Sequence, residues 1–491
     1  MIPAREEAFG PGRGAAPMPL LSYWYWAPAI WDVWLGAAAS RADVGSRAAR
    51  RLAELVRFAR ARSPYYAELY RALPADGIRP EHVPPVTRRS LMERFDEWVT
   101  DPEVTLESAR AFVADAARVG HPFLGRYGVW TSSGTSGEPG LFVHDARSLA
   151  VHDALETLRL GRGPMARGFP AGSLLAGGRY AMIAATGGHF AGVASVERMR
   201  SLAPALAGRI RVFSILEPLA RLVAALNAYQ PTLVATYPTV ASQLAHEQQA
   251  GRLGIHPAVI WLGGETLSAG CREAASAAFG CRVVEEYGAS ECMSIACECS
   301  RGRLHVNSDW AMIEPVDREY RPVPAGTASH TALLTNLANR VQPVIRYDLG
   351  DSIVLDAEAC ACGSPFPTLR VQGRSDDGLW LRSGKGERVE LLPLALTTVV
   401  EEFGGAYRFQ IVQGSDTALS VRLEAAPGNG RAALWRKVER ALRRYLDAQG
   451  LTGVALRLDD APPGRSASSG KLRRVVASPG ESPGRERWRG A

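Results

Sequence analysis

Apolar side chains recur along this chain with two different spacings. Leu52, Leu55, Val56 and Ala59 fall at i, i+3, i+4 and i+7, one face of an amphipathic helix. That helix is expected to end near Ser63-Pro64, because proline disfavours helical geometry in the residue before it. A second, shorter helix is predicted after Thr87, with Leu91 and Phe95 four residues apart on one face. Farther on, compact apolar runs read as strands at Ala181–Ala185, Ile210–Ile215, Leu233–Thr236, Val259–Leu262 and Arg282–Glu285. Helical patterns separate them at Leu219–Ala228, Val240–Gln249 and Gly270–Phe279. Strands alternating with helices predict a layered α/β domain. Leu304–Leu355 turns toward β structure. After Gly373 a smaller unit follows, with strands Tyr407–Gln413 and Ala418–Glu424 forming a hairpin and Arg431–Ala448 a basic amphipathic helix.

These patterns divide the chain into a flexible leader (1–18), a large layered α/β N-terminal domain (19–373), a small mobile α+β C-terminal lid domain (374–477) and a disordered tail (478–491). The segment Leu20–Ala39 carries Tyr23, Trp24, Tyr25, Trp26, Trp31 and Trp34 and has the length to span a membrane. Pro28 and Asp32 in its middle favour instead a helix-loop packed on the protein's own body. A membrane-surface or partner contact is the alternative.

Composition narrows the function classes. Of 491 residues, 46% are hydrophobic and 22% charged, which is ordinary globular usage and excludes a disordered or fibrous chain. The net charge of +7 is spread as arginine along the sequence rather than gathered in a stripe, so no nucleic-acid partner is expected. The only lysines are Lys385, Lys437 and Lys471, and neither Gly384-Lys385 nor Gly470-Lys471 precedes Ser or Thr, which excludes a Walker A loop. All seven cysteines follow residue 270 and no secretory signal is read at the start, so a cytoplasmic protein with thiols or metal ligands is expected.

Three runs carry candidate chemistry. Thr131-Ser132-Ser133-Gly134-Thr135-Ser136-Gly137-Glu138-Pro139-Gly140 alternates hydroxyls with glycines, so its amides can form a phosphate nest; a plain surface loop is the alternative. Glu285-Glu286-Tyr287-Gly288-Ala289-Ser290-Glu291 offers carboxylates suited to Mg²⁺, or merely a solvated strand end. In Arg346-Tyr347-Asp348-Leu349-Gly350-Asp351, an aspartate after a glycine turn offers paired acceptors for ribose hydroxyls, or caps an ordinary turn.

In this order, the runs resemble the adenylate-forming (acyl/aryl-CoA ligase) superfamily and most nearly its phenylacetate-CoA ligase branch. The similarity extends from Arg60–Tyr66 and Val86–Leu91 through Gly263-Gly264-Glu265 to Gly373–Asp377 and Ser469-Gly470-Lys471. The resemblance implies that Ser132, Ser133, Gly134, Thr135, Ser136 and Gly137 hold the ATP phosphates. It puts Gly264 and Glu265 near the adenine, Tyr287 stacked on it with Gly288 beside it, Glu291 on Mg²⁺, Asp351 on the ribose and Arg374 at the hinge. Lys471 matches the lysine that bridges carboxylate and phosphate during adenylation. Such an ammonium stabilises two anions brought together. His189 in a glycine-rich loop is a candidate for the acyl or thiol channel, and Gly263, Tyr237 and Pro238 for the acid pocket; an aromatic acid follows only from the family. Two positions depart from its pattern: Glu138 stands where Lys or Arg is usual, and Asp348 where an arginine is usual, with Arg346 the nearby substitute.

The cysteines add a metal. Cys297/Cys299 and Cys360/Cys362 form two Cys-x-Cys pairs with His305 between them, and thiolate plus imidazole suits closed, structural Zn²⁺. Cys299, His305, Cys360 and Cys362 are the preferred ligands, with Cys297 as substitute and reduced buried thiols as the alternative. The expected function is therefore ATP-dependent activation of an aryl or acyl acid to an adenylate, then thioesterification to coenzyme A. A carrier-protein thiol or an amine is the alternative acceptor, and an inactive scaffold or membrane-surface protein the second alternative. A homodimer is compatible with this reading.

Overall fold

The structure is a computed structural model that describes residues 19–74, 77–132, 140–159, 177–374, 379–384, 386, 388–391, 393–406, 408–425, 430–464 and 472–477. The leader and tail expected at 1–18 and 478–491 lie outside the described residues. The first helix, Pro19–Ala38, runs on through Pro28, so the expected helix-loop is one continuous helix. Ala29, Val33 and Ala37 give it a buried stripe at four-residue spacing. Asp32 ties it to the next helix, where Arg51 Nη2 donates to its carboxylate at 2.5 Å and Arg47 joins the same oxygen. Its other face leaves Tyr25, Trp26, Trp31, Trp34 and Leu35 exposed. No described helix is long and apolar enough to cross a membrane.

The second helix, Arg41–Arg62, opens on a Ser40–Asp43 capping box and stops at Ser63, which in turn caps a short helix beginning at Pro64. Proline therefore ends one helix by starting another. The helix predicted after Thr87 is split into Arg88–Glu93 and Phe95–Trp98 by the non-helical Arg94 (ψ 40°), yet Leu91 and Phe95 are both buried.

The chain then builds a hairpin, β1 (Gly128–Thr131) with β2 (Leu141–His144), and a nine-stranded sheet. Its parallel half comprises β3 (Tyr180–Ala184), β4 (Ile210–Ser214), β5 (Leu233–Thr236), β6 (Val259–Leu262) and β7 (Arg282–Ala289), in the order β4-β3-β5-β6-β7. Both faces are covered, which is why these strands read as continuous apolar runs. Ala181, Ile183, Val234 and Ile260 lie against the helices Leu219–Tyr229, Pro238–Gln249 and Ala269–Phe279. Tyr180, Ala235 and Val284, with Met182 and Trp261, point to the opposite face, toward Val196 and Met199 of the helix Ala191–Leu202.

From β7 the sheet continues antiparallel through β8 (Cys292–Glu298) and β9 (Leu304–Val306). A three-stranded sheet follows, from β10 (Ala311–Val316), β11 (Thr331–Asn336) and β12 (Tyr347–Asp348). The hairpin β13 (Asp351–Leu355) and β14 (Thr368–Arg374) closes the large sheet beside β9. Beyond it, β15 (Leu379–Arg382) pairs β16 (Arg388–Leu391). A four-stranded sheet comprises β17 (Phe409–Ser415), β18 (Ala418–Leu423), β19 (Ala455–Asp459) and β20 (Val475–Val476). It has a core of its own, in which Phe409, Ile411 and Val421 meet Val438, Leu442 and Leu446 of the helix Arg431–Ala448.

One buried ion pair joins distant parts of the large unit. Both Arg159 terminal nitrogens donate to Asp309 at 2.6 Å, and Arg159 Nη1 also donates to Asn307 Oδ1 at 3.1 Å. Gly36 of the first helix packs so closely on this pair that a Cβ there would lie 2.4 Å from Asp309 Oδ2. Replacing Arg159 with Ala strands a fully buried carboxylate and should cost about 3–5 kcal/mol. The check is the urea midpoint of unfolding, read against the unsubstituted protein.

Candidate active site

The order β4-β3-β5 reverses the direction of strand addition, and ligands in such sheets bind outside the carboxyl ends of strands at the reversal. A cavity of about 530 Å³ lies there. Tyr237, Gly263 and Gly264 line it at the ends of β5 and β6, with Gly288, Ala289 and Ser290 from the end of β7 and Thr131 from β1. Its body extends along the sheet face of Tyr180, Met182, Ala235 and Trp261, under the helices Ala146–Leu158 and Ala191–Leu202. Trp26 of the first helix reaches the same space.

The β7–β8 hairpin organises the mouth. Gly288 sits at an irregularity between Tyr287 and Ala289, where a Cβ would lie 1.8 Å from the Met293 carbonyl oxygen, so only glycine fits. This close crossing sets the turn at Ser290-Glu291. The Ser290 carbonyl accepts from Trp130 Nε1 at 2.8 Å and lies 3.1 Å from His144 Nε2, while Trp130 and His144 stack at 4.2 Å. Burial pushes the His144 imidazole down to about 3, so it stays neutral and serves as a donor. Glu291 is buried and its carbonyl accepts from Asn336 Nδ2 at 2.9 Å.

The expected phosphate loop leaves from the same place. Ser132 N donates to Gly140 O and Gly140 N to Ser132 Oγ, both at 2.8 Å, which pins the two ends together. Ser133, Gly134, Thr135, Ser136 and Gly137, with Glu138, lie outside the described residues. Tyr287 OH donates to Asp351 Oδ2 at 2.7 Å, so the expected adenine and ribose residues meet. Asp351 in turn pairs with Arg374 across β13 and β14; only the Arg374 backbone is described. Lys471 lies outside the described residues.

Other candidates are placed differently from expectation. His189 is 2% exposed and does not line the cavity; Nε2 lies 3.0 Å from the Asp115 carbonyl, and its ring packs on Phe112. Its own carbonyl accepts from Thr131 N at 2.8 Å, so it supports the loop base rather than facing a substrate. Glu265 accepts from Thr239 N at 3.0 Å and Thr239 Oγ1 at 3.1 Å, a cap on the helix that Pro238 begins. Pro238 is buried there, while Tyr237 before it faces the cavity. Arg346 does not stand in for an arginine at 348. It is buried, pairs with Glu314 at 3.0 Å and donates to Val83 O, while Asp348 accepts from Tyr320 OH at 2.8 Å and Thr331 Oγ1.

Cys299, His305, Cys360 and Cys362 converge, their donor atoms all within 4.8 Å of one another. Cys299 Sγ and Cys360 Sγ are 3.9 Å apart, and Cys362 Sγ lies 3.3 Å from His305 Nε2. His305 Nδ1 bonds the Phe366 carbonyl at 2.8 Å, which turns Nε2 toward the sulfurs. Three thiols and one imidazole are a donor set that fits zinc. Cys297 stays apart, buried beside Ser294 and Glu286.

The cavity also takes in Asp153, Glu156, Tyr180 and Arg198, which no sequence pattern singles out, and Glu286, which the sequence offers only within the Glu285–Glu291 run as a carboxylate suited to Mg²⁺.

Residues 129–328 match the family described as AMP-binding enzyme. The chain is 28% identical over 289 residues to a phenylacetate-coenzyme A ligase of Thermus thermophilus, covering 52% of this chain and 62% of that protein. The matched region thus spans less than two thirds of that relative's length. Among solved structures, a 2-hydroxyisobutyryl-CoA ligase in complex with R3-HIB-AMP is similar with TM-score 0.62 at 21% identity, over 87% of this chain and 88% of that one. An anthranilate CoA ligase in complex with anthranoyl-AMP is similar with TM-score 0.52 at 16% identity, over 70% and 64%. The fold is therefore that of these CoA ligases.

Gly288→Ala should lower stability by about 3 kcal/mol through overpacking at the Met293 carbonyl. Thermal unfolding followed by circular dichroism checks it, with Gly45→Ala, on the second helix with nothing within 4 Å of the added Cβ, as the comparison.

Proposed function

We propose that this chain, whose residues 129–328 match the AMP-binding enzyme family, is an AMP-forming acid–thiol ligase. The observation that carries this reading is one of position. An acid-sized, largely apolar cavity opens on Gly288-Ala289-Ser290, next to the Tyr287–Asp351 pair and the pinned base of the Ser132–Gly140 loop.

In the first half-reaction a carboxylate oxygen bonds to the α-phosphorus of ATP while the bond to pyrophosphate breaks. The loop amides and hydroxyls from Ser132 to Gly137 hold the departing phosphates. Tyr287 lies against the adenine, and Asp351 accepts from the ribose. ATP arrives as its magnesium complex, which screens phosphate charge, and Glu291 is the carboxylate of this chain that would hold that ion. Lys471 supplies the ammonium between the carboxylate and the α-phosphate. In the second half-reaction the coenzyme A thiolate attacks the acyl carbonyl and AMP leaves. Arg374, at the end of β14, is the proposed hinge between the large unit and the C-terminal lid. Cys299, His305, Cys360 and Cys362 hold a structural zinc whose part is to tie loops together.

Pyrophosphate release with Mg-ATP and a panel of benzoates, phenylacetates, aminobenzoates and fatty acids tests the reading. Turnover with one acid that depends on coenzyme A is expected, and Lys471→Ala should cut it at least about 100-fold. Adenylate that coenzyme A cannot discharge would move the acceptor to a carrier thiol or amine. Silence across the panel would refute the activity. For the metal, elemental analysis should find stoichiometric zinc, absent from Cys362→Ser together with a lower unfolding temperature.

A further inference from the structure

The cavity wall is not uniformly apolar. Deep along β7, two residues before Gly288, Glu286 points into it from the same sheet face as Trp261 and Val284. Glu156, Asp153 and Arg198 line the opposite wall from their helices. Alternation on a covered sheet face calls for an apolar residue at 286, and a carboxylate buried there is costly unless it is paired.

The pairing among these groups does not close. Asp153 is taken by Arg198, and Glu156 Oε1 lies 2.9 Å from His152 Nε2. Glu286 Oε1 accepts from Ser294 Oγ at 2.7 Å and from Cys297 Sγ at 3.9 Å, and the Trp261 side chain also bonds the carboxylate; all three donors are neutral, and the His152 charge acts on it only through space. Three carboxylates therefore share two basic groups, and among the described residues no cation contacts Glu286. Burial first, and then the nearby Glu156 charge, push its carboxyl well up from the ordinary range. Among the described residues Tyr180 OH donates only to the Met182 sulfur, at 3.8 Å, which leaves its oxygen able to accept. This end of the cavity is built for a group that brings positive charge and hydrogen-bond donors.

We propose that the cavity selects a carboxylic acid whose far end carries a protonated amine, held by Glu286 with Glu156 beside it. The inference rests on the acid-activation reading above, and it makes these two carboxylates the determinants of specificity. At about 3.3 Å per residue, Glu286 lies about 7 Å deeper along β7 than Gly288, at the mouth to which this proposal assigns the reacting carboxyl. That spacing suits an aminomethyl group at the para position of a phenylacetate, or the end of an ω-amino acid of similar length. A buried site that pairs a charged amine rejects the methyl analogue strongly, because the carboxylate would otherwise stay unpaired.

The test compares 4-aminomethylphenylacetate, 4-hydroxyphenylacetate and 4-ethylphenylacetate in ATP–pyrophosphate exchange. The expected result is at least a tenfold preference in kcat/KM for the amine over both others, with the order of amine and ethyl reversed in Glu286→Leu. Preference of the unsubstituted protein for the ethyl or the hydroxy acid overturns the proposal while leaving acid activation standing. A second measurement needs no catalysis: calorimetric titration of 4-methylbenzylamine into the protein and into Glu286→Gln, whose fold is checked by circular dichroism. The amine should bind at least tenfold more weakly to the variant, and equal binding overturns the proposal. If no acid is turned over, acid activation fails and this titration alone decides whether the cavity takes an amine.

Discussion

Much of the site depends on one backbone crossing, Gly288 against the Met293 carbonyl. A side chain there would overlap the carbonyl outright, so the two strands can come this close only at glycine. The crossing fixes the Ser290-Glu291 turn, and the turn offers a single carbonyl to both Trp130 and His144. Those two residues belong to β1 and β2, the strands that carry the base of the Ser132–Gly140 loop. On the other side, Tyr287 is set to bond Asp351 on a strand 64 positions away. The base of the Ser132–Gly140 loop, the Ser290-Glu291 turn and Asp351 are thus registered to one another through a short hairpin.

The two halves of the large sheet divide the work. The parallel half leaves strand ends open where helices begin, so Tyr237 and Gly263-Gly264 face a void instead of a partner strand. The antiparallel half has no such openings and supplies rigidity through continuous pairing. The cavity sits on the face where Glu286 interrupts the apolar pattern. The buried Asp309, by contrast, is met by Arg159 through two matched hydrogen bonds. The lack of a cation at Glu286, among the described residues, stands out against that pairing.

Much of this was legible in the sequence. Short apolar runs mark β3 to β6 within a residue, because strands covered on both faces tolerate little else, whereas β7 begins as expected at Arg282 but runs four residues past Glu285, to Ala289. The convergence of Cys299, His305, Cys360 and Cys362 matches the preferred ligand set, since few other residues of the chain are soft donors. The first helix was read as broken because a proline interior to a helix usually breaks it, but Ala29, Val33 and Ala37 bury enough surface to carry it through. Side-chain destinations were less legible. Glu265 caps a helix and Arg346 pairs with Glu314, and in both cases the deciding partner is remote or on another element. Glu156 and Arg198 belong to helices whose register against the sheet no local pattern encodes.

The β13–β14 hairpin is held at both ends. Its loop end carries Cys360 and Cys362, tied by proximity to Cys299 after β8 and His305 on β9. Its base carries Asp351 opposite Arg374 and Ser352 opposite Gly373. Gly373 has φ +115° and lies against Pro393, where a Cβ would come within 3.3 Å. The hairpin is thus held at its loop end by the thiol-and-imidazole cluster and paired along its length as far as Arg374. The thiol-and-imidazole cluster therefore gathers β8, β9 and the β13–β14 loop at one end of the hairpin, opposite the base that carries Asp351.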